Sequence, residues 1–487
     1  MKVFQQSLEA YVGRVRRRPL QGLLLVAVLT AALIPAAATA RGPRPNIVLV
    51  VIDTLRADHL GSYGYTRPTS PQLDRFAAEA VSFDNAFTVM PHTLPAHLSL
   101  FTSRYPRELG ILMNGQTYDG SFPTLAERLK EAGYATSAFV SGLPVQARFG
   151  LDQGFDTYVD ATHFKPEGTI AAQAFDRWLD QRQDGPFFSW VHLYDPHIPY
   201  APPAHLEKMF PEDDALRAWV MTHGIAAGPG WGRSIDKTVI TQRPTPPDAS
   251  PFLHNLNLYD AEIRFVDQVV GDLLQNLKER KLYDDSLIII MSDHGEGLGQ
   301  HGYYLHGLHL YEEQLRLPLM IRTPGGDQGG TRVAGSVSLL DVLPTLADLL
   351  HLEADDKWRG LSLRPALDGR EQEDLDGRLL FSESRQYPPR RELSPDHWTG
   401  VRRFSVRGGR WKLIRTTEGV TELFDLRADQ GELADVHREN VATTRRLTRA
   451  LDDWLQRISQ GEPAPGNSLS EEDRRRLRSL GYASDSP

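Results

Sequence analysis

The chain has 487 residues, 40% of them hydrophobic and 24% charged, which excludes a disordered polymer and a multi-span membrane protein. Cysteine is absent, so disulfides, thiolate metal sites, iron–sulfur clusters and cysteine nucleophiles are excluded together, and any chemistry must run on oxygen, nitrogen or a bound metal. The formal net charge of −9 argues against nucleic acid as a partner, because phosphate-backbone binders carry a basic excess.

Residues 1–40 read as a targeting segment. Arg14, Arg16, Arg17 and Arg18 precede an apolar run from Leu23 to Ile34, and Pro35 and the small-residue triplet Ala38-Thr39-Ala40 follow, the layout of a cleavable secretory signal. The alternative is an uncleaved anchor, since from Leu20 the weakly polar run approaches the ~20 residues that span a bilayer. Either way the expected location is exported, periplasmic or secreted, with membrane contact only through this segment where it stays attached.

Asn46-Ile-Val-Leu-Val-Val-Ile52 is a continuous β-branched run, the pattern of a central parallel strand buried on both faces, and it ends at Asp53. A second such strand, residues 287–291, ends in Ser292-Asp293-His294-Gly295, and residues 135–140 and 187–192 supply two more. Helices are predicted between them over 71–80, over 124–132 with a Thr124/Glu127 capping box, and over 260–278. This alternation predicts an α/β fold with a mostly parallel central sheet covered by helices on both faces. The stretch 207–251, rich in Gly and Pro, breaks the rhythm and reads as a surface loop or a lid. Residues 376–460 read as a C-terminal α+β subdomain: a hairpin around Gly408-Gly409, a strand at 422–426 and a basic amphipathic helix over 441–458. Residues 44–375 form the catalytic domain in this division, and 461–487 a charged tail.

The residues that carry chemistry are Asp53, Thr93, Asp293 and His294. Ligands of open α/β sheets bind outside the carboxyl ends of strands, where Asp53, Asp293 and His294 stand. Thr93 precedes Pro95, a residue suited to the first turn of a helix, so its hydroxyl is placed at a helix N-terminus that attracts an anion. His97, four residues on, shares that helix face. Two carboxylates, an imidazole and a hydroxyl suit one divalent cation, zinc or manganese ahead of calcium or magnesium. Such an ion activates a hydroxyl without a neighbouring base. A bare N-cap role for Thr93 is the competing reading.

Arg44-Pro-Asn-Ile-Val-Leu-Val-Val-Ile-Asp53, Thr93-Leu-Pro-Ala-His97 through Ser103-Arg-Tyr-Pro106, residues 124–134, Asp195-Pro-His197-Ile-Pro-Tyr-Ala-Pro-Pro203, Ser292-Asp-His-Gly-Glu296 and Leu310-Tyr-Glu-Glu313 follow one another in order. Together they resemble the sulfatase family within the alkaline phosphatase superfamily, and Gly409-Arg-Trp-Lys-Leu-Ile414 resembles its C-terminal subdomain. The resemblance implies that Asp53, Asp293 and His294 ligate the metal, with Thr93 at the nucleophile position and also a ligand. It places His97 where the family has an Arg, His197 at the substrate-binding His, and His306 near a Lys or His beside the anion. His192, His301 and His309 are read as solvated loop residues.

Several positions depart from the family pattern. Thr93 stands where the family's formylglycine is made from Cys or Ser, and threonine cannot give that aldehyde. Thr54 replaces a second acidic ligand, Asp-His replaces Asp-Asn, and Val140-Ser-Gly-Leu143 replaces a Gly-Lys-Trp-His stretch. A threonine ester must be broken by water or another acceptor, the chemistry of the superfamily's phosphodiesterases and phosphoethanolamine or phosphoglycerol transferases. The expectation is therefore a metal-dependent hydrolase of anionic sulfate or phosphate esters carried on a glycan or lipid head group, with phosphoester favoured on chemistry. Strict sulfuric ester hydrolysis and head-group transfer are the alternatives, and a catalytically silent anion-binding relative is a third.

Overall fold

The computed structural model describes residues 44–160, 168–211, 251–385 and 401–459, with isolated positions at 214, 216, 220, 461, 470, 472, 473 and 475. The targeting segment, most of the 207–251 insertion and most of the tail lie outside the described residues.

The main sheet takes its strands from the whole length of the catalytic region. They are β1 (Asn46–Ile52), β2 (Val81–Phe87), β3 (Ala135–Val140), β4 (Thr157–Val159), β5 (Phe187–Leu193) and β6 (Ser286–Ser292). A ribbon of β7 (Gly297–Leu298) and β8 (Tyr304–Leu305) follows, then β9 (Arg316–Leu317), β10 (Leu319–Arg322) and β11 (Arg332–Ser338). The order is β11-β2-β10-β6-β1-β5-β3-β4, with β9 on β2. All neighbours run parallel except those made by β9 and β10.

Two apolar layers sandwich β1. Ile47, Leu49 and Val51 face one layer, built with α2 (Thr93–Thr102), α3 (Leu125–Glu131), α6 (Val342–Leu349) and α7 (Val441–Arg457). Val48, Val50 and Ile52 face the other, built with α1 (Pro71–Glu79), α4 (Gly168–Gln181) and α5 (Pro251–Glu279). A strand with helices on both faces has no side to give to water, which is why its sequence is an unbroken apolar run. The predicted α/β class is thus the observed one. Thr124 caps α3 as its sequence requires, accepting from Glu127 N at 3.2 Å while the Glu127 carboxylate accepts from Thr124 N at 2.7 Å.

Where the structure differs from the prediction, length and polarity explain it. The helix predicted over 260–278 begins at Pro251, which its fixed φ suits to a first turn. Strands β2, β10 and β11 escaped notice because β10 has four residues and β2 carries Asp84 and Asn85 in its middle. Among the described residues no helix is long and apolar enough to cross a membrane.

A second, antiparallel sheet holds β12 (Leu379–Glu383), β13 (Arg403–Gly408), β14 (Trp411–Thr416) and β15 (Thr421–Asp425) in that order. Phe381, Phe404, Val406, Leu413 and Leu423 join the layer that faces Ile47 and Leu49, so this sheet shares the main core. Buried Lys412 ties it further, reaching Glu312 at 3.1 Å and Glu432 at 2.8 Å. His301 adds a third tie through Glu313 at 2.9 Å and the Glu432 carbonyl at 3.1 Å.

Trp454 of α7 is buried between Tyr105 and Phe381, with ring centroids 5.0 and 5.2 Å away. Trp454→Ala is expected to destabilise the protein by about 3–5 kcal/mol, read from the denaturant midpoint. Glu313 pushes the His301 imidazole up to about 8 in spite of its burial. A histidine raised in the folded state adds stability below its unfolded pKa of about 6.5 and loses it as pH rises through the folded value. Wild type should therefore lose about 2 kcal/mol relative to His301→Gln between pH 6 and 9, measured by denaturation at each pH.

Candidate active site

The carboxyl ends of β5, β1 and β6 lie side by side, with Ile52 in register with Leu193 and Ser292. Asp53 continues β1 through its N–H to the Leu193 carbonyl at 2.9 Å, and the chain then turns at Thr54, whose φ of 55° is left-handed. That turn lets Thr54 N donate to Asp293 Oδ1 at 3.3 Å, while Leu55 N donates to Ser292 Oγ at 3.0 Å. The Tyr259 hydroxyl donates to the Thr54 carbonyl at 2.8 Å and clamps the turn from α5. Gly295 makes the exit of β6 possible, since a Cβ there would lie 2.1 Å from the Glu313 carbonyl oxygen.

Three imidazoles face the carboxylates. His294 gives its Nδ1–H to the Gly295 carbonyl at 2.9 Å, and its Nε2 lies 3.4 Å from Thr93 Oγ1, 3.4 Å from Asp293 Oδ2 and 3.8 Å from Asp53 Oδ1. His97 gives its Nδ1–H to the Thr93 carbonyl at 2.8 Å, and that same nitrogen lies 3.7 Å from Asp293 Oδ2. His192 gives its Nδ1–H to the Ser141 carbonyl at 2.6 Å, with Nε2 3.8 Å from Asp53 Oδ2. A ring nitrogen tied to a backbone carbonyl fixes the tautomer and aims the other nitrogen, as for metal-ligating histidines.

Burial sets the charges here. It pushes Asp53 well above the usual carboxylate range, helped by the Asp293 and Glu296 charges, and lifts Asp293 to about 6. It pushes His294 down to about 3, and His97 and His192 are lowered by the same cause. Both oxygens of Asp53, Asp293 Oδ2, and the Nε2 atoms of His97 and His192 are buried without a hydrogen-bond partner among the described residues. Orphaned oxygen and nitrogen donors converging on one space fit a divalent cation, and Asp53, Asp293 and His294 offer ligand atoms within 4.8 Å of one another.

Thr93 is the first residue of α2, whose ten residues are all buried. The helix N-terminus is less open to an anion than the sequence implies, because Asn114 Oδ1 already accepts from Leu94 N at 2.9 Å and Pro95 has no N–H. Side chains line the space beyond His294. His306 lies tilted against His294 with ring centroids 4.4 Å apart, and the His197 ring stands 5.1 Å from His306. Glu296 accepts from His306 Nδ1 at 3.1 Å, and the Ile198 carbonyl accepts from His197 Nδ1 at 2.6 Å.

The structure thus brings together Asp53, Thr93, His97, His197, Asp293, His294 and His306. It also adds residues that sequence reasoning missed. Arg385, following β12, is buried and donates to His92 Nε2 at 3.0 Å, placing a cation and another imidazole beside His306. Nothing in the sequence around Arg385 marks it. The reading of His192 as a solvated loop residue is corrected: it is fully buried on β5, one strand from Asp53, a place visible from its position at a predicted strand end. His301 and His309 are not solvated either, the first paired with Glu313 and the second stacked on Tyr303 at 3.4 Å.

Residues 45–352 match the sulfatase family model. The chain belongs to the sulfatase family. Residues 299–460 also match the model described as N-sulphoglucosamine sulphohydrolase, C-terminal. As a sulfatase of the alkaline phosphatase superfamily it is a hydrolase acting on ester bonds, in a metal-dependent family. This sulfatase is 23% identical to an N-acetylglucosamine-6-O-sulfatase of Bacteroides thetaiotaomicron, over 89% of this chain and 90% of that protein. It is 25% identical to a choline-sulfatase of Rhizobium meliloti over 81% and 82%. A solved structure in complex with its substrate D-glucosamine-2-N,6-O-disulfate shares the fold, with a TM-score of 0.72, 22% identity and coverage of 86% and 99%. The phosphonate monoester hydrolase of Agrobacterium radiobacter does so with a TM-score of 0.68, 23% identity and coverage of 88% and 99%.

Divalent cation at about 100 times its dissociation constant is expected to stabilise the chain by about 2.7 kcal/mol, seen as a rise in melting temperature. Asp53→Asn and Asp293→Asn should each lose most of that rise, and a chelator should reverse it in the wild type.

Proposed function

We propose that this sulfatase is an exported, metal-dependent hydrolase in which Thr93 is the nucleophile toward an anionic phosphate or sulfate ester, with phosphoester turnover the faster. The observation that carries the reading is the position of Thr93 Oγ1, 3.4 Å from His294 Nε2 at the rim of the paired carboxylates. Asp53, Asp293, His294 and the Thr93 oxygen would hold the ion, whose nitrogen donor favours zinc or manganese. When bound, a divalent cation lowers the pKa of a hydroxyl and neutralises charge on the transferred group.

Thr93 Oγ1 forms a bond to phosphorus or sulfur as the bond to the leaving alcohol oxygen breaks. The Thr93 hydroxyl proton is taken up at the Nε2 ring nitrogen of His306, whose Nδ1–H is held by the Glu296 carboxyl, and passes from there to the leaving oxygen, while His197 holds the group from the other side. Arg385 adds a fixed positive charge near the departing anion. Water then cleaves the threonine ester and restores the hydroxyl. A threonine ester has no aldehyde to collapse to, so its breakdown depends on attack at the central atom, which supports phosphorus over sulfur.

A sulfate ester of a sugar alcohol is the second reading, supported by the names of the glycan-sulfate relatives and by the disulfated glucosamine in the similar structure. The two phosphonate monoester hydrolases among the similar structures support the first. Export is supported by the basic and apolar segments before Ala40.

Parallel assays of aryl sulfate, phosphate monoester, phosphate diester and phosphonate monoester should show faster turnover of a phosphorus ester, and Thr93→Ala should lower it by about 10³-fold or more. Acid-quenched enzyme should carry the transferred group on Thr93, seen by mass spectrometry. Cleavage of the sulfate ester alone would overturn the phosphoester preference, and unchanged activity in Thr93→Ala would overturn the nucleophile.

A further inference from the structure

Two residues after β12, Arg385 gives its N–H to the Gly307 carbonyl at 3.0 Å, and its guanidinium runs beneath Gly307, where a Cβ would lie 2.7 Å from Arg385 Nε. Arg385 is 1% exposed, and the groups it faces include the imidazoles of His92, His294 and His306. An imidazole, neutral or protonated, brings no negative charge to a buried guanidinium. Glu296 is within electrostatic reach, but its Oε1 already accepts from His306 Nδ1 at 3.1 Å.

His92 sharpens the arrangement. Arg385 Nη1 approaches its Nε2 at 3.0 Å, and the Asn114 N–H approaches its Nδ1 at 3.2 Å. A guanidinium and a backbone amide only donate, whereas a neutral imidazole has one lone pair and an imidazolium none. The two donors therefore compete for one acceptor. Asn114 is the fixed partner, because its Oδ1 accepts from Leu94 N at 2.9 Å in the first turn of α2. Arg385 is the donor that can turn to another acceptor, and once it does His92 can carry its proton on Nε2 and donate beside it. Two neighbouring side chains then aim donors at one oxygen. Its place is close to the reacting atoms: His92 precedes Thr93 in the chain, and the His92 ring lies 6.4 Å from that of His306, which lies 4.4 Å from that of His294.

We propose that Arg385 and His92 bind the oxygen that carries the second negative charge of a phosphate monoester, so that the dianionic monoester is the preferred substrate. A sulfate ester and a phosphate diester bring one charge each, which offsets the burial of a guanidinium less fully. The planar fork of arginine matches two oxygens of one phosphate group. This selection rests on the phosphoester reading of Thr93 and goes beyond it in naming the charge of the substrate and the residues that sense it.

The test compares metal-loaded, full-length wild type, Arg385→Lys and Arg385→Met on an aryl phosphate, a diaryl phosphate and an aryl sulfate with the same leaving group, with circular dichroism showing that the variants fold. Wild type should turn over the monoester fastest. Arg385→Met should lower kcat/KM for the monoester by about 100-fold and for the two monoanions by less than about tenfold. Arg385→Lys keeps the charge and loses the fork, so it should lower the monoester preference by about tenfold, and it decides the matter if Arg385→Met does not fold. Binding without turnover is read by calorimetry on metal-loaded Thr93→Ala, which should hold methyl phosphate at pH 8 about 50-fold or more tighter than methyl sulfate, a ratio that adding Arg385→Met should bring below about five. Equal losses on all three substrates in the Arg385 variants, or an unchanged binding ratio, would overturn the selection while leaving the chemistry of Thr93 intact. A wild type fastest on the diester would overturn the selection and leave the phosphoester reading standing. Cleavage of the sulfate ester alone would overturn both.

Discussion

Two carboxylates, Asp53 and Asp293, are buried next to one another at the ends of adjacent parallel strands, and the rest of the molecule is arranged around that constraint. Burial drives both toward the neutral form, and the charges of Asp293 and Glu296 add to it at Asp53. The fold nevertheless invests in the ionised shape: Asp293 Oδ1 accepts from two backbone N–H groups, and Thr54 adopts a left-handed φ of 55° to supply one of them. Ser292, Tyr259 and Gly295 then stitch the exits of β1 and β6 to each other and to α5. A local geometry so heavily specified, with the remaining carboxylate oxygens left bare, makes sense as a preformed cation cradle on rigid strand ends.

The anion side of the pocket is assembled differently, from loops that only tertiary structure brings together. His197 comes from the exit of β5, His306 from the segment after β8, and Arg385 from the exit of β12 in the second sheet. The C-terminal region thereby contributes a side chain to the site as well as core. Its ties to the His306 segment run from Lys412 to Glu312 and from the Glu432 carbonyl to His301. Displacing that sheet would move Arg385 and loosen the His306 segment in one event, so the stability of the C-terminal packing and the precision of the anion pocket are linked.

The central strands and the cradle were legible in the sequence because their causes are local. A double-buried strand must be apolar throughout, and an acidic residue at its carboxyl end has few structural reasons to be there, so Asp53, Asp293 and His294 stood out. Thr93 was placed by Pro95, and Thr124 by its partner Glu127. His192 was not recognised, although it ends a predicted strand, because its significance depends on β5 lying next to β1 in the sheet order. Arg385 and His92 were invisible for the same reason: their pairing spans 293 residues and leaves no periodic trace. Strands β2 and β10 were missed because polar residues in mid-strand and brevity erase the pattern on which strand prediction depends.

The departures from the sulfatase pattern compensate one another. Thr54 in place of an acidic ligand removes a negative charge from the centre, and His97 in place of an arginine removes a positive one, so the net charge is held while its chemistry changes. At His294 an amide oxygen gives way to an imidazole nitrogen, a donor better suited to zinc or manganese than to hard cations. Such an ion is the stronger Lewis acid at a hydroxyl. Threonine, unlike an aldehyde hydrate, needs that assistance to become a nucleophile.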